Sequence, residues 1–290
     1  MKNEDQLKST ASSSIEKMME SKRNLVLSLA VSVAICSTIT IFAPISGDRI
    51  FYSDLIAVIT SGLAAALSIQ LIVRQRINGL FPRLYASLGL GIVLWFIAES
   101  IWTYYELVAG VETPFPSIAD ALWLAGYVPF FYFLFGMVKN FIAPSRSMLL
   151  QFFLISSAGF VLLANLMLSM YQTADLTSSE GAMTFVFSSA YPIADTLLVV
   201  LASVAFIQLR KGKLTFTPWA FFTLSLMLFI IADIGFAYFV LIEGLGDMIW
   251  IWNPLYNAGY LAIASSLFWH REFFTVDERK LMRAWQERNR

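Results

Sequence analysis

The 290-residue chain has little of what most catalytic sites are built from: one histidine, one cysteine, and only 14% charged residues. With one of each, no His-rich, Cys-x-x-Cys or HExxH metal site can be assembled. Cys36 can form no intrachain disulfide, and it reads as ordinary packing within an apolar run. A Ser-His-Asp triad has only His270 to draw on, at the end of the last apolar run. No GxGxxG or Walker lysine supports nucleotide binding, and no lysine lies mid-membrane to carry retinal. The expectation is a protein that is not an enzyme. Nor is nucleic acid an expected partner, because the basic residues sit in tails and connections that suit anionic lipid headgroups.

What the chain has in abundance is apolar surface. Hydrophobic residues make up 58% of it and the mean hydropathy is +0.69, far from soluble usage. Against a hydrocarbon core of roughly 30 Å, eight segments are long enough to cross: Asn24 to Pro44, Leu55 to Val73, Leu84 to Val108, Ser117 to Val138, Leu149 to Met170, Phe185 to Leu209, Pro218 to Ile242 and Pro254 to Trp269. Runs this continuous do not alternate as barrel strands must, and lipid leaves no partner for open backbone, so they are expected to be helices. The expected class is all-α, a polytopic membrane protein of eight transmembrane helices.

Charge sets the expected orientation. Lys and Arg fall in the N-terminal tail, the second, fourth and sixth connections, and the tail after Trp269, whereas only Arg49 falls in an odd-numbered connection. The positive-inside rule then places both termini in the cytoplasm of a cell membrane. Residues 1–23, polar and Ser-rich, read as a disordered cytoplasmic tail without a cleavable signal. Residues 24–270 read as the membrane domain. Residues 271–290 read as an amphipathic tail, with Phe274, Leu281 and Trp285 on one face.

The membrane domain contains an internal echo. "LWFIAESIWTYYELVAG", from Leu94, aligns with "LFIIADIGFAYFVLIEG", from Leu228, with six of seventeen positions identical and Glu99 opposite Asp233. "DALWLAGY", from Asp120, aligns with "NPLYNAGY", from Asn253, with four of eight identical. Two parallel four-helix repeats are expected, about 24–146 and 147–270, related by a pseudo-two-fold axis along the membrane normal. Gly126 and Gly259 are expected at equivalent close-packing positions.

Several acids lie at or within these spans. Asp54 and Asp120 stand near helix starts, where capping alone accounts for them, and Pro116 suits a first helical turn. Glu99, Asp195 and Asp233 are deeper. At 1.5 Å of rise per residue, each is roughly 21 to 22 Å from the cytoplasmic end of its span. No Lys or Arg lies within any span to pair with them, and intramembrane acids of this kind are functional candidates.

Aromatic residues accompany them. Asp120, Trp123 and Tyr127 share a helical face, as do Trp95, Glu99, Trp102 and Glu106, and Asn253, Tyr256 and Tyr260. Two readings stay open. In one, Glu99, Asp120, Asp195 and Asp233 line an outward-open cavity with Trp102, Trp123, Tyr127 and Tyr260, suited to a cation, an amine or protons. In the other, each acid is a separate cap or isolated group and the aromatics are interfacial anchors.

"PFPSIADALWLAGY", "YPIADTLL" and "NPLYNAGYL" carry a resemblance to a known family. The chain resembles the eight-helix membrane input domain found N-terminal to diguanylate cyclase, phosphodiesterase, PAS or histidine kinase modules in bacterial and archaeal signalling proteins. That family shows Pro-Ser-x-Ala-Asp at the head of its fourth helix, Tyr-Pro-x-x-Asp in its sixth and Gly-Tyr in its last. The resemblance covers about residues 24–270 and implies a sensor that takes a signal from the outer side to a cytoplasmic signalling protein or membrane partner. With twenty-one residues after Trp269, an input module without an output domain is expected. A small-solute or cation transporter and a structural subunit of a membrane complex are the alternatives.

Overall fold

The computed structural model describes residues 2–42, 49–75, 79–110, 115–142, 145–209, 213–238 and 251–273. Among these the protein is all-helical. Eight α-helices follow in order: α1 (Lys2–Phe42), α2 (Arg49–Gln75), α3 (Leu80–Thr103), α4 (Ile118–Phe141), α5 (Arg146–Thr173), α6 (Ser179–Leu209), α7 (Lys213–Ala237) and α8 (Asn253–Phe273). Seven, α1 to α7, are long and apolar enough to cross a membrane. Large apolar side chains such as Leu154, Phe160, Leu162 and Val128 face outward. An outward apolar surface is what a helix bundle presents to lipid, where water would penalise it.

The eighth helix is polar by comparison, carrying Asn253, Asn257, Ser265, Ser266, His270 and Arg271. It affords this because it is buried among its neighbours, with residues 257–267 covered throughout. Its polar groups bond to other helices: Thr60 Oγ1 donates to Asn257 Oδ1 at 3.1 Å, and Ser266 Oγ donates to the Pro218 carbonyl at 2.8 Å. At its far end His270 is 3% exposed. Its ring stacks on that of Tyr85 at 4.2 Å, and the Tyr85 hydroxyl lies 3.3 Å from Nδ1.

Around α8 the packing is ordered. Helix α3 lies against α4 and α2, α7 lies against α8 and α6, α2 lies against α8, and α6 lies against α4. Trp95, 3% exposed, stands at the centre. Its indole meets the rings of Phe130 and Phe229 edge-on, both at 4.8 Å, and its Nε1 donates to the Trp123 carbonyl at 2.8 Å. Such edge-to-face contacts hold relative ring positions better than area alone.

Two glycines make this possible. A Cβ on Gly126 would lie 2.5 Å from the Trp95 ring, and one on Gly259 would lie 2.8 Å from the Phe229 ring. Trp95 and Phe229 are the two residues set opposite each other in the alignment of α3 with α7. At Gly91 an added Cβ would stand 2.9 Å from the Gly126 carbonyl and 2.4 Å from Phe130.

Several expectations change here. Of residues 1–23, expected as a disordered tail, residues 2–23 are helical and continuous with the first span. Propagating a helix that has already nucleated costs far less than starting one. Helix α2 begins at Arg49 and not near Leu55, which moves Asp54 out of the capping turn. Helix α4 begins one residue past Ser117, its N-cap, so Pro116 precedes the helix and is not its first residue. The amphipathic face of Phe274, Leu281 and Trp285 lies outside the described residues.

The close approach of α3 and α4 has a measurable consequence. Gly91→Ala and Gly126→Ala should each destabilise the purified protein by about 1 to 3 kcal/mol, the usual cost of overpacking. Val128→Ala, on the outer face of the same helix, should leave the melting temperature in detergent unchanged. Equal melting of all three variants and the parent would show that the glycine contact is not tight.

Candidate functional site

The helices bring the sequence-predicted residues together at one end of the bundle, where α3 and α7 finish and α4 and α8 begin. Asp195, 1% exposed, lies halfway along α6, and its carboxyl group is in direct contact with that of Asp233 from α7. Tyr127 of α4 serves both. Its hydroxyl stands 2.7 Å from Asp195 Oδ1 and 3.3 Å from Asp233 Oδ2. Tyr256 of α8 donates to Asp233 Oδ1. Tyrosine hydroxyls thus face three of the four oxygens of the pair.

Glu99 of α3 is held differently. Tyr260 of α8 donates to its Oε1 at 2.7 Å, and the Trp123 indole adds a further polar contact. Trp102 and Trp123 have ring centroids 5.7 Å apart, so Trp102 packs on the indole that contacts Glu99. Asp233 acts on Glu99 electrostatically, and Glu99 thereby belongs to the same group as the pair.

Asp120 has two roles. Its Oδ2 accepts from the Ser117 backbone N at 2.7 Å and from Ser117 Oγ at 2.9 Å, while the Ala119 amide donates to Ser117 Oγ at 3.2 Å. That is a capping box. Its Oδ1 accepts from the Tyr191 hydroxyl of α6 at 2.8 Å, and Tyr191 in turn is in electrostatic reach of Asp195 and Asp233. Capping therefore explains half of Asp120, and the cluster explains the other half.

All eight expected residues are thus near one another, and tyrosine hydroxyls stand between the acids. The best-defined cavities lie elsewhere. One, of about 10 Å³, is a gap beside Tyr85 and Trp219. The other, of about 330 Å³, is open and bounded by Thr173, Asp175, Ser178 and Thr184 between α5 and α6. There Asp175 is exposed, and hydrogen bonds from Thr177 and Ser178 hold its carboxyl below the usual range. Among the described residues no three His, Cys, Asp or Glu side chains are grouped to hold a metal.

Sequence reasoning left four contributors outside the site. Tyr256 and Tyr191 were visible by spacing, Tyr256 one turn from Tyr260 and Tyr191 one turn before Asp195. Asp54 was read as a cap, but it lies past the first turn of α2 and its Oδ2 receives no hydrogen bond. Glu106 touches Asp54 from the wider π-helical turn Tyr104–Val108 that ends α3. No sequence signal marks that turn.

No protein-family model matches this chain, and no significant match is found among curated proteins or solved structures.

The tyrosine hydroxyls supply the donors that buried acids require. Tyr127→Phe and Tyr260→Phe keep the rings and remove only the oxygen. Each should lower stability by about 1 to 3 kcal/mol, Tyr127→Phe more, since it serves two carboxyl groups. Tyr132→Phe, on the outer face of α4, should have no effect. Thermal unfolding in detergent measures all three, and an order in which Tyr132→Phe is the most damaging would contradict the network.

Proposed function

We propose that the protein is a membrane-embedded sensor or ligand-binding module that takes a cation, an amine or protons at its acidic end and passes the event to a partner. One observation carries this reading. Glu99, Asp195 and Asp233 are gathered from three helices into one polar cluster with no basic side chain acting on any of them among the described residues. Carboxyl groups inside a bundle are costly, by ~2.5 to 3.5 kcal/mol each at a helix centre, and separate structural acids would not need to converge.

The cluster is arranged to transmit. Its hydrogen bonds join α3 to α8, α4 to α6 and α7, and α8 to α7. A change of charge at any one acid alters bonds between helices and not merely within one. The motif resemblance to membrane input domains supports the same reading, with a cytoplasmic signalling protein or a second membrane protein as the receiver.

The finer architecture belongs to this proposal: eight crossings, α8 included, with both termini on the cytoplasmic side, and two parallel four-helix repeats. The repeat is supported by reciprocal contacts. Tyr127 of the first half bonds Asp233 of the second, and Tyr260 of the second half bonds Glu99 of the first. Those tyrosines align with each other, and so do those acids. An exchange of equivalent contacts is what a two-fold relation produces.

Orientation is tested by labelling. In a Cys36→Ser background, Ser179→Cys should react with an impermeant thiol reagent from outside the cell and Arg146→Cys only from inside. Reaction of both from one side would refute the topology.

Occupancy is tested in nanodiscs. The melting temperature of the full chain should shift with pH, sodium or ethylammonium, and Glu99→Gln and Asp233→Asn should abolish the shift. A parent protein indifferent to all three, or variants that keep the shift, would overturn the sensing role in favour of a structural one. Sodium or amine flux in proteoliposomes, lost in the same variants, would favour the transporter.

A further inference from the structure

A second acid pair lies beside the deep one. Asp54 of α2 is 6% exposed, and its Oδ2, buried, receives no hydrogen bond. Its carboxyl group contacts that of Glu106 and is within electrostatic reach of Glu99. Glu106 is half-buried on the π-helical turn at the very end of α3. It stands close to a helix terminus, and π-helical turns recur where a side chain must be re-aimed for function.

The deep pair has the same signature. Asp195 Oδ2 is likewise buried without a donor, while Asp195 Oδ1 and both oxygens of Asp233 face tyrosine hydroxyls. Each pair therefore offers one bare acceptor oxygen next to a second carboxyl group. A metal ion needs several such oxygens converging, and an ammonium needs room. A proton needs one oxygen and no room.

We propose that Asp54 and Glu106 are the entry of a proton path that leads through Glu99 to the Asp195 and Asp233 pair, so that the ligand of the deep site is the proton. This rests on the reading of the deep acids as an occupiable site and narrows it to one ligand. A proton arriving from water at the acidic end is held between Asp54 and Glu106. It moves to the Glu99 carboxylate, leaving a carboxylate behind it, and then to the deep pair by the same exchange. Tyr260 donates to Glu99 and lies in electrostatic reach of Asp233, which makes its hydroxyl the natural link. No electrons move and no other reactant is required.

The titratable groups along this path come from every helix packed there. They are Asp54 on α2, Glu99 and Glu106 on α3 and its π-helical turn, Asp120 and Tyr127 on α4, Tyr191 and Asp195 on α6, Asp233 on α7, and Tyr256 and Tyr260 on α8. Arg49 stands upstream of Asp54 on the same helix.

Trp123, in contact with Glu99, and Trp102, packed against it, supply an optical readout. The full chain in nanodiscs is subjected to an acid jump in a stopped-flow instrument while tryptophan fluorescence is followed. The parent should respond, and Glu99→Gln should lose the response. Glu106→Gln, conservative and near a helix end, should reach the parent's final amplitude at least tenfold more slowly, and Asp54→Asn should do the same. A parental rate in Glu106→Gln, with the Glu99 dependence intact, overturns the entry path alone. A response that Glu99→Gln retains overturns the site reading with it. Ethylammonium at constant pH that reproduces the fluorescence change overturns the proton as ligand and leaves the site reading standing.

Discussion

A carboxyl group inside an apolar bundle must find its hydrogen-bond donors in the protein, and this protein supplies them almost entirely as tyrosine hydroxyls. No guanidinium or ammonium takes part among the described residues. A hydroxyl is a neutral donor, so it satisfies an oxygen without cancelling a charge. The acids are stabilised in position while their protonation remains free to change. An Arg in the same place would pair with each carboxylate and hold it charged.

Each tyrosine donor is on a different helix from its acid. Tyr127 reaches from α4 to α6 and α7, Tyr191 from α6 to α4, Tyr256 from α8 to α7, and Tyr260 from α8 to α3. Helices in lipid have little hydrophobic drive to associate and depend on packing and interhelical hydrogen bonds. The same bonds that satisfy the acids therefore hold the bundle. Helices α1 and α5, whose spans are almost wholly uncovered by the rest of the chain, lie outside this network and take no part in it.

Directly beneath the acids the packing becomes tight. Trp95 is clamped between Phe130 and Phe229, and Gly91, Gly126 and Gly259 bring backbones close to rings. A core of this density has discrete arrangements and does not deform smoothly. It is a physical means by which a change at the acidic contacts above can be converted into a shift of whole helices. Trp95 donates to the carbonyl of Trp123, whose indole contacts Glu99, so the core and the acid layer share one residue.

The sequence by itself determined the helical class, the presence of seven long apolar helices, and the gathering of acids at one end, because these follow from local composition and a rise of about 1.5 Å per residue. It also matched Tyr127 with Tyr260 and Glu99 with Asp233. It did not determine which atoms would meet. Asp54 was a cap by its place near an expected start, and became half of an acid pair once α2 began at Arg49. Helix α8 was apolar enough to count by eye, yet it is set apart by its polar residues, whose partners are on α2 and α7. The pairing of each acid with a tyrosine from another helix is decided by how the helices pack, a relation between residues up to 161 positions apart that no local pattern contains.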